Sequence, residues 1–172
     1  MTVNGFNFNN IPVTAGTWSL NTVTALLDGT YPVTATVTDA AGNATSDATT
    51  NELVIDTVAP TAPTVNTLTT NVRKPTITGT ATLLAGETLS VTVNGYTFSN
   101  VAVIGGTWSL NTATASSSPA GFANLADGTY SVTATVTDAA TNTTSDSTNN
   151  ELVIDTVAPI TAPTVKIGRA HV

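Results

Sequence analysis

An internal duplication of about a hundred residues constrains this chain more than any other feature. Residues 16–22 recur unchanged as residues 106–112, and residues 51–60 recur unchanged as residues 150–159. A repeat of this length is too long for the helical solenoids and fits tandem independent domains. The chain is therefore expected to fold as successive copies of one small domain.

The alignment of the two copies sets the domain boundaries. Residues 1–5 align with residues 91–95, so the first copy, residues 1–60, is expected to lack its first two strands. Residues 61–159 are expected to form a complete copy, and residues 160–166 to begin a further linker or repeat. Residues 167–172 have no counterpart in the repeat and resemble the translation of sequencing-adapter read-through, so they are left out of the functional interpretation.

The alternation of apolar and hydroxylic residues predicts β-strands. Between Tyr130 and Val136 every second residue is apolar, which is typical of a half-buried antiparallel strand. Asn94-Gly95 and Gly105-Gly106 separate such runs and predict two-residue hairpin turns. About seven strands per copy are therefore expected, without helices. The other predicted strands of the complete copy include residues 75–81, 89–93, 108–110 and 152–154.

Seven short antiparallel strands in about a hundred residues favour an all-β fold, a pair of tandem immunoglobulin-like sandwiches. Tyr31 and Tyr130 have the spacing of a tyrosine corner, in which the hydroxyl bonds to nearby backbone. Trp18 and Trp108 are expected to pack in the cores of their copies. Since the chain has no cysteine, these cores contain no disulfide.

The charge of the chain limits the classes of ligand that it is expected to bind. It has 4 Lys+Arg against 11 Asp+Glu and a net charge of −7, so phosphate backbones and anionic lipids would repel it. Nucleic-acid binding and membrane insertion are therefore not expected. The single histidine, His171, lies in the excluded tail, so no Ser/His/Asp relay can be assembled. The chain is not expected to be an enzyme.

Three motifs together carry a resemblance to a known family. They are Gly-Thr-Trp-Ser-Leu at 106–110, Asp-Gly-Thr-Tyr at 127–130 and Val-Ile-Asp-Thr-Val-Ala-Pro at 153–159. The chain resembles the Ig-like repeats of giant bacterial surface adhesins, the biofilm-associated and RTX-type proteins exported by type I secretion. The resemblance implies an extracellular stalk at the bacterial surface, with neighbouring repeats as partners. It also implies that other parts of the protein carry the secretion signal and any binding to carbohydrate or to host or bacterial surfaces.

Acidic and amide side chains predict one metal site. If seven strands alternate in direction, the loops and the linker at the junction of the copies gather Asp28, Asp56, Glu87, Asp138 and Asn142. Carboxylate and amide oxygens suit Ca²⁺, and the resemblance implies that calcium stiffens such junctions. The alternative needs no ion: Asp28 caps an Asp-Gly turn, and Asp138 forms an Asx turn.

Two classes of function follow from the sequence. The leading one is a structural stalk that spaces a distal adhesive region from the cell. The alternative is a module that binds carbohydrate or a partner cell through its sheet faces or through the inserted loop that ends at Phe122, or an accessory domain of a secreted polysaccharide-active enzyme. The basic pair Arg73-Lys74 is interpreted as a solvated strand edge.

Overall fold

The computed structural model describes residues 1–22, 25–161 and 163–164. These residues form short β-strands and no helix, which confirms the all-β prediction. They divide into two compact units: residues 1–59 with the loop 138–142, and residues 60–137 with the described residues from 143 onward. No helix long and apolar enough to cross a membrane occurs in the described part of the chain.

The first unit contains three small antiparallel sheets. One has the order β2-β1-β4, and the others pair β3 with β7 and β5 with β6. Among its described residues, Val3 on β1 is the one apolar side chain that is fully buried. Its strands are β1 (Thr2–Val3), β2 (Phe6–Asn7), β3 (Gly29–Tyr31), β4 (Val33–Thr34), β5 (Thr36–Thr38), β6 (Ala44–Ser46) and β7 (Leu53–Ile55).

The second unit contains three larger sheets. Their strand orders are β13-β14-β10-β8, β12-β11-β16-β17 and β15-β18-β9. The strands are β8 (Thr64–Val65), β9 (Leu68–Thr70), β10 (Thr76–Thr80), β11 (Thr88–Val93), β12 (Tyr96–Phe98), β13 (Val103–Ile104), β14 (Thr107–Asn111), β15 (Gly128–Tyr130), β16 (Val132–Thr137), β17 (Thr143–Ser145) and β18 (Leu152–Ile154).

The core of the second unit follows the predicted alternation. On β16 the side chains of Val132, Ala134 and Val136 are completely buried, while the threonines between them are not. They join apolar side chains of the other sheets, Ile77 and Trp108 among them, in one hydrophobic cluster. Burial of one face of each sheet against the other is the packing of a β-sandwich.

The predicted hairpin turns are confirmed by the backbone. Asn94 and Gly95 have φ of 49° and 79°, and Gly105 and Gly106 have φ of 58° and 78°. Two consecutive positive φ values are those of the primed turns that match the right-handed twist of a hairpin. The β11–β12 hairpin closes accordingly, with Val93 opposite Tyr96.

The described residues of the second unit form eleven short strands, whereas about seven are predicted. One reason is that the run 128–137 changes sheets at Ser131. Its first part, β15, pairs with β18, whereas its second part, β16, pairs with β11 and β17. The apolar alternation continues through this switch, so the sequence pattern does not reveal it.

The second and the last strands of the second repeat lie side by side. β18 pairs with β9 in parallel, with Leu152 opposite Leu68 and Ile154 opposite Thr70. The ladder is flanked by hydrogen bonds from the Leu68 amide to the Glu151 carbonyl at 2.7 Å and from the Asp155 amide to the Thr70 carbonyl at 3.0 Å. The other strand pairings in the described residues are antiparallel, as predicted.

Candidate functional site

A polar clamp holds the point where the chain leaves the second repeat. Asp127 precedes β15 and Thr156 follows β18, and the pairing of these strands brings the two residues together. The Thr156 amide donates to Asp127 Oδ2 at 3.0 Å, and the Thr156 hydroxyl donates to Asp127 Oδ1 at 2.8 Å. The start of the exit segment is thereby fixed to the body of the repeat.

Arg73 completes this clamp. Its Nη2 atom donates to Asp127 Oδ1 at 3.2 Å and to Thr156 Oγ1 at 3.0 Å, and its Nη1 atom donates to the Leu125 carbonyl at 3.1 Å. Arg73 is exposed, as expected for a residue at a solvated strand edge, but these hydrogen bonds give it a specific role that the sequence did not predict. Its partners lie more than fifty residues away in sequence, so no local pattern identified them.

The first copy contains the same clamp without the arginine. The Thr57 amide donates to Asp28 Oδ2 at 3.1 Å, and the Thr57 hydroxyl donates to Asp28 Oδ1 at 2.9 Å. Asp28 therefore holds the linker 29 residues further along the chain, rather than the Asp-Gly turn next to it. Because both copies build this contact, the clamp is a property of the repeat.

An Asx turn follows the clamp in each copy. Asp56 Oδ1 accepts a hydrogen bond from the Val58 amide at 3.0 Å, and Asp155 Oδ1 accepts one from the Val157 amide at 3.0 Å. Such a turn fixes the local direction of the backbone. The chain therefore leaves each repeat through an ordered segment that leads to a proline, Pro60 or Pro159.

Asp138 and Asn142 are two predicted calcium ligands that the structure brings together. The Asn142 amide donates to Asp138 Oδ1 at 2.8 Å, and Asn142 Nδ2 donates to Asp138 Oδ2 at 2.9 Å. Within the first unit, Asn142 Nδ2 also donates to the Asp56 carbonyl at 2.9 Å. Asp39 and Asn43 form the same loop in the first copy. This is the predicted Asx alternative.

The remaining predicted ligands have partners of their own. Glu87 Oε2 accepts a hydrogen bond from the Leu84 amide at 2.8 Å, and the Asp28 carboxylate is engaged by Thr57. In the described part of the chain, no group of three or more acidic, histidine or cysteine side chains is placed to hold a metal ion.

Hydrogen bonds lower the pKa of the carboxyl groups of Asp138 and Asp127. The side chain of Asn142 is the main cause for Asp138, and the backbone amide of Thr156 is the main cause for Asp127, with a contribution from the charge of Arg73. Both pKa values lie below the ordinary 3.8. The stability that these groups contribute is therefore present above pH 3.8 and is lost as the pH falls through the lowered pKa.

We expect the melting temperature of the second repeat to fall when the pH is lowered from about 5 to about 2. Thr156→Val removes the hydroxyl that Asp127 holds and should make this fall smaller, whereas Thr129→Val, on the neighbouring strand β15, should leave it unchanged. Calorimetry at several pH values measures the effect. A melting temperature that is independent of pH over this range would contradict it.

Trp108 and Phe122, two large aromatic residues of the second repeat, are buried. Trp108 is 2% exposed, and its Nε1 atom donates to the Thr64 carbonyl at 3.1 Å. Phe122, at the end of the inserted loop, is buried with its ring edge-on to Tyr96 and Phe98, at centroid distances of 5.1 and 5.4 Å. The inserted loop thus packs on its own domain. This weakens the alternative of a carbohydrate-binding module.

The prediction that Trp18 packs in a core is wrong for the first unit. It is 46% exposed, although its counterpart Trp108 is in the core. Strands β8 and β10 cover Trp108 in the second repeat, and the described residues among 1–59 form no counterpart of these strands. The tyrosine corners, by contrast, form as predicted: the hydroxyls of Tyr31 and Tyr130 donate to the carbonyls of Leu27 and Ala126 at 2.8 and 2.9 Å.

Comparison with known proteins agrees with this architecture. The bacterial Ig-like domain family matches the chain twice, over residues 2–57 and 64–156. The two matches coincide with the two copies of the repeat and together cover most of the chain. No curated protein matches the chain. The two family matches show that the chain belongs to the bacterial Ig-like domain family.

Proposed function

We propose that these repeats are a stalk segment of a bacterial surface adhesin, which holds a distal adhesive region away from the cell. The observation that carries the proposal is the parallel pairing of β9 with β18. β18 is the last strand of the complete repeat, and only the short strand β8 separates β9 from its beginning. Tension that pulls the two ends of the repeat apart slides the strands past each other, so the hydrogen bonds of the ladder are loaded together. Such an arrangement resists stretching.

The exit clamp supports the same proposal. Asp127, Thr156 and Arg73 fix the exit segment to the repeat, and Asp28 with Thr57 does so in the first copy. The linker between the copies is short and contains Pro60 and Pro63, which makes it stiffer than a Gly/Ser tether. Ordered exits and stiff linkers are what a spacer needs, because they let successive domains extend rather than collapse.

The proposal places the chain outside the cell as a non-catalytic module. Domains of this family are generally structural, and the acidic, cysteine-free composition needs no redox chemistry for stability. The partners proposed are neighbouring repeats of the same polypeptide. Adhesion to a host or bacterial surface is assigned to other regions of that polypeptide.

Display of the repeats on a bacterial surface tests the proposed stalk function. A known adhesive domain is anchored to the cell through none, one or three copies of residues 61–159, and attachment to its ligand is counted under flow. We expect attachment to increase with the number of copies, while cells that display the repeats without the adhesive domain do not attach. Attachment by the repeats alone would instead favour the binding module.

Calcium at the junction stays a prediction of the sequence. Binding to the folded state alone would raise the melting temperature with calcium concentration. Asp56→Ala should abolish this rise in a protein with two complete repeats, and Asp155→Ala in the last repeat is the matched control. Melting curves that do not change with millimolar calcium would contradict calcium binding. The clamps and the prolines would then be the remaining elements that stiffen the linker.

A further inference from the structure

We propose that strand β12 of the second repeat is a site for pairing with β12 of a second copy of this chain, and that the inserted loop keeps this site closed. The proposal does not depend on the stalk function. It rests on contacts within the second unit, where the loop occupies the place that the second copy would take.

The inserted loop is an addition to the repeat rather than part of its framework. Fourteen residues separate Thr112 from Asp127, nine more than separate the equivalent residues of the first copy. The additional residues are 115–123, and Phe122 is the one buried residue among them. β14 ends before the loop and β15 begins after it, so the loop contributes no strand to the sandwich.

The loop covers the free edge of β12 by backbone pairing. One side of β12 pairs with β11, and on the other side Thr97 forms an isolated antiparallel bridge with Ser118 of the loop. The Thr97 amide donates to the Ser118 carbonyl at 2.9 Å, and the Ser118 amide donates to the Thr97 carbonyl at 2.8 Å. The loop therefore satisfies the two backbone groups that Thr97 presents at the edge.

Phe122 anchors the loop on the same strand. Its ring meets the rings of Tyr96 and Phe98 edge-on, at centroid distances of 5.1 and 5.4 Å. Most of the other residues of the loop are exposed. Phe122 and the hydrogen bonds to Thr97 are thus the main contacts that hold the loop on β12.

A second copy of β12 can make both kinds of contact. The hydrogen bonds between Thr97 and Ser118 are reciprocal, so Thr97 of a second copy can take the place of Ser118 about a twofold axis. In that antiparallel register Tyr96 of each copy lies opposite Phe98 of the other. Cross-strand aromatic pairs stabilise a sheet, and here they would replace the contacts of both rings with Phe122.

Charge does not oppose this pairing. The chain has a net charge of −7, but residues 94–100, which contain β12 and its flanks, include no charged residue and no proline. Natural edge strands are kept from pairing by charges, by prolines or by a covering loop. Since β12 has neither of the first two, the inserted loop is its protection.

Deletion of residues 115–123 from the full chain tests the proposal, because it gives the connection the length found in the first copy. We expect the shortened protein to form dimers at least about tenfold more tightly than the unmodified protein in analytical ultracentrifugation. In dilute solution its Thr97 amide should exchange hydrogen about tenfold faster or more, and the exchange should slow again as the protein concentration rises.

The matched control is Thr97→Pro in the shortened protein. The Thr97 amide points away from β11 and towards the edge, where a proline can be accommodated. This variant should associate no more than the unmodified protein. A synthetic peptide with the sequence of residues 113–124 should dissociate the dimers of the shortened protein, whereas the same peptide with Phe122→Ser should not.

The first unit is identical in these proteins, so any association through it is common to all of them. A shortened protein that stays monomeric at millimolar concentration would overturn the proposal, as would dimers that persist with Thr97→Pro. If the shortened protein lacks the indole signal of the buried Trp108 and is therefore unfolded, Phe122→Ser in the full chain takes its place. Phe122→Ser should also associate, and a monomer with a freely exchanging Thr97 amide would overturn the proposal as well.

Discussion

Trp108→Ala is expected to lower the free energy of unfolding of the second repeat by about 3–5 kcal/mol, the usual cost of deleting a large aromatic side chain from a core. Trp108 is almost completely buried, and its indole nitrogen satisfies the Thr64 carbonyl. The substitution removes apolar contacts from β8 and β10 and leaves a cavity between sheets. Urea unfolding followed through the β16 amide signals measures the loss.

Trp18→Ala is the matched control in the same chain. The two tryptophans lie in identical seven-residue segments, but Trp18 is about half exposed. Because exposed side chains contribute little to stability, we expect a change below about 1 kcal/mol in the first unit and none in the second. Equal losses for the two substitutions would show that Trp18 is part of a packed core and would contradict the structure described.

Glu151→Ala should destabilise the second repeat by about 1–3 kcal/mol, the cost of leaving a buried donor unsatisfied. Glu151 Oε2 accepts a hydrogen bond from the Val132 amide at 2.9 Å, and both residues are buried. Glu151→Gln retains an acceptor oxygen and should cost less. Chemical denaturation of the three proteins at neutral pH tests this order.

The control for this prediction is Glu52→Ala. Glu52 Oε2 accepts a hydrogen bond from the Val33 amide at 2.9 Å, the same bond as in the second copy, but Glu52 is exposed. Water can replace the lost acceptor there, so we expect a loss below about 1 kcal/mol. If Glu52→Ala cost as much as Glu151→Ala, burial would not be the reason for the effect.

The differences between equivalent residues of the two copies show why the sequence predicts only part of the structure. The alternation in residues 130–136 and the Asn94-Gly95 turn are local patterns, and both predictions are confirmed. The burial of Trp108 and Glu151 depends on strands far away in sequence. Trp18 and Glu52 lie in the same local sequence and are exposed, so local sequence alone could not distinguish the two copies.

The site was predicted less completely than the fold. The acidic residues of the loops are correctly placed at the ends of strands, and the Asx alternative for Asp138 is the arrangement found. The partners of Asp127 and Arg73 depend on the pairing of β18 with β15 and on its parallel pairing with β9. Leu68 to Thr70 carry too short an apolar pattern to predict that pairing, so the clamp could not be foreseen.

Single-molecule pulling tests the stalk most directly, because it asks whether the complete repeat resists tension along the chain. The chain has no cysteine, so paired cysteines can serve as handles at chosen points. Ala62→Cys with Ala158→Cys applies force through β8, which is held by β10, and then across the parallel pair of β9 and β18. Ala85→Cys with Ala139→Cys pulls apart the ends of β11 and β16, where Thr88 lies opposite Thr137, and opens the ladder one bond at a time.

We predict a higher rupture force for the handles at 62 and 158 than for those at 85 and 139, at the same loading rate. Forced unfolding is governed by the unfolding rate, so the comparison reports the barrier along each direction rather than the overall stability. Rupture forces that are equal, or lower along the chain axis, would contradict a repeat built to carry tension between its ends.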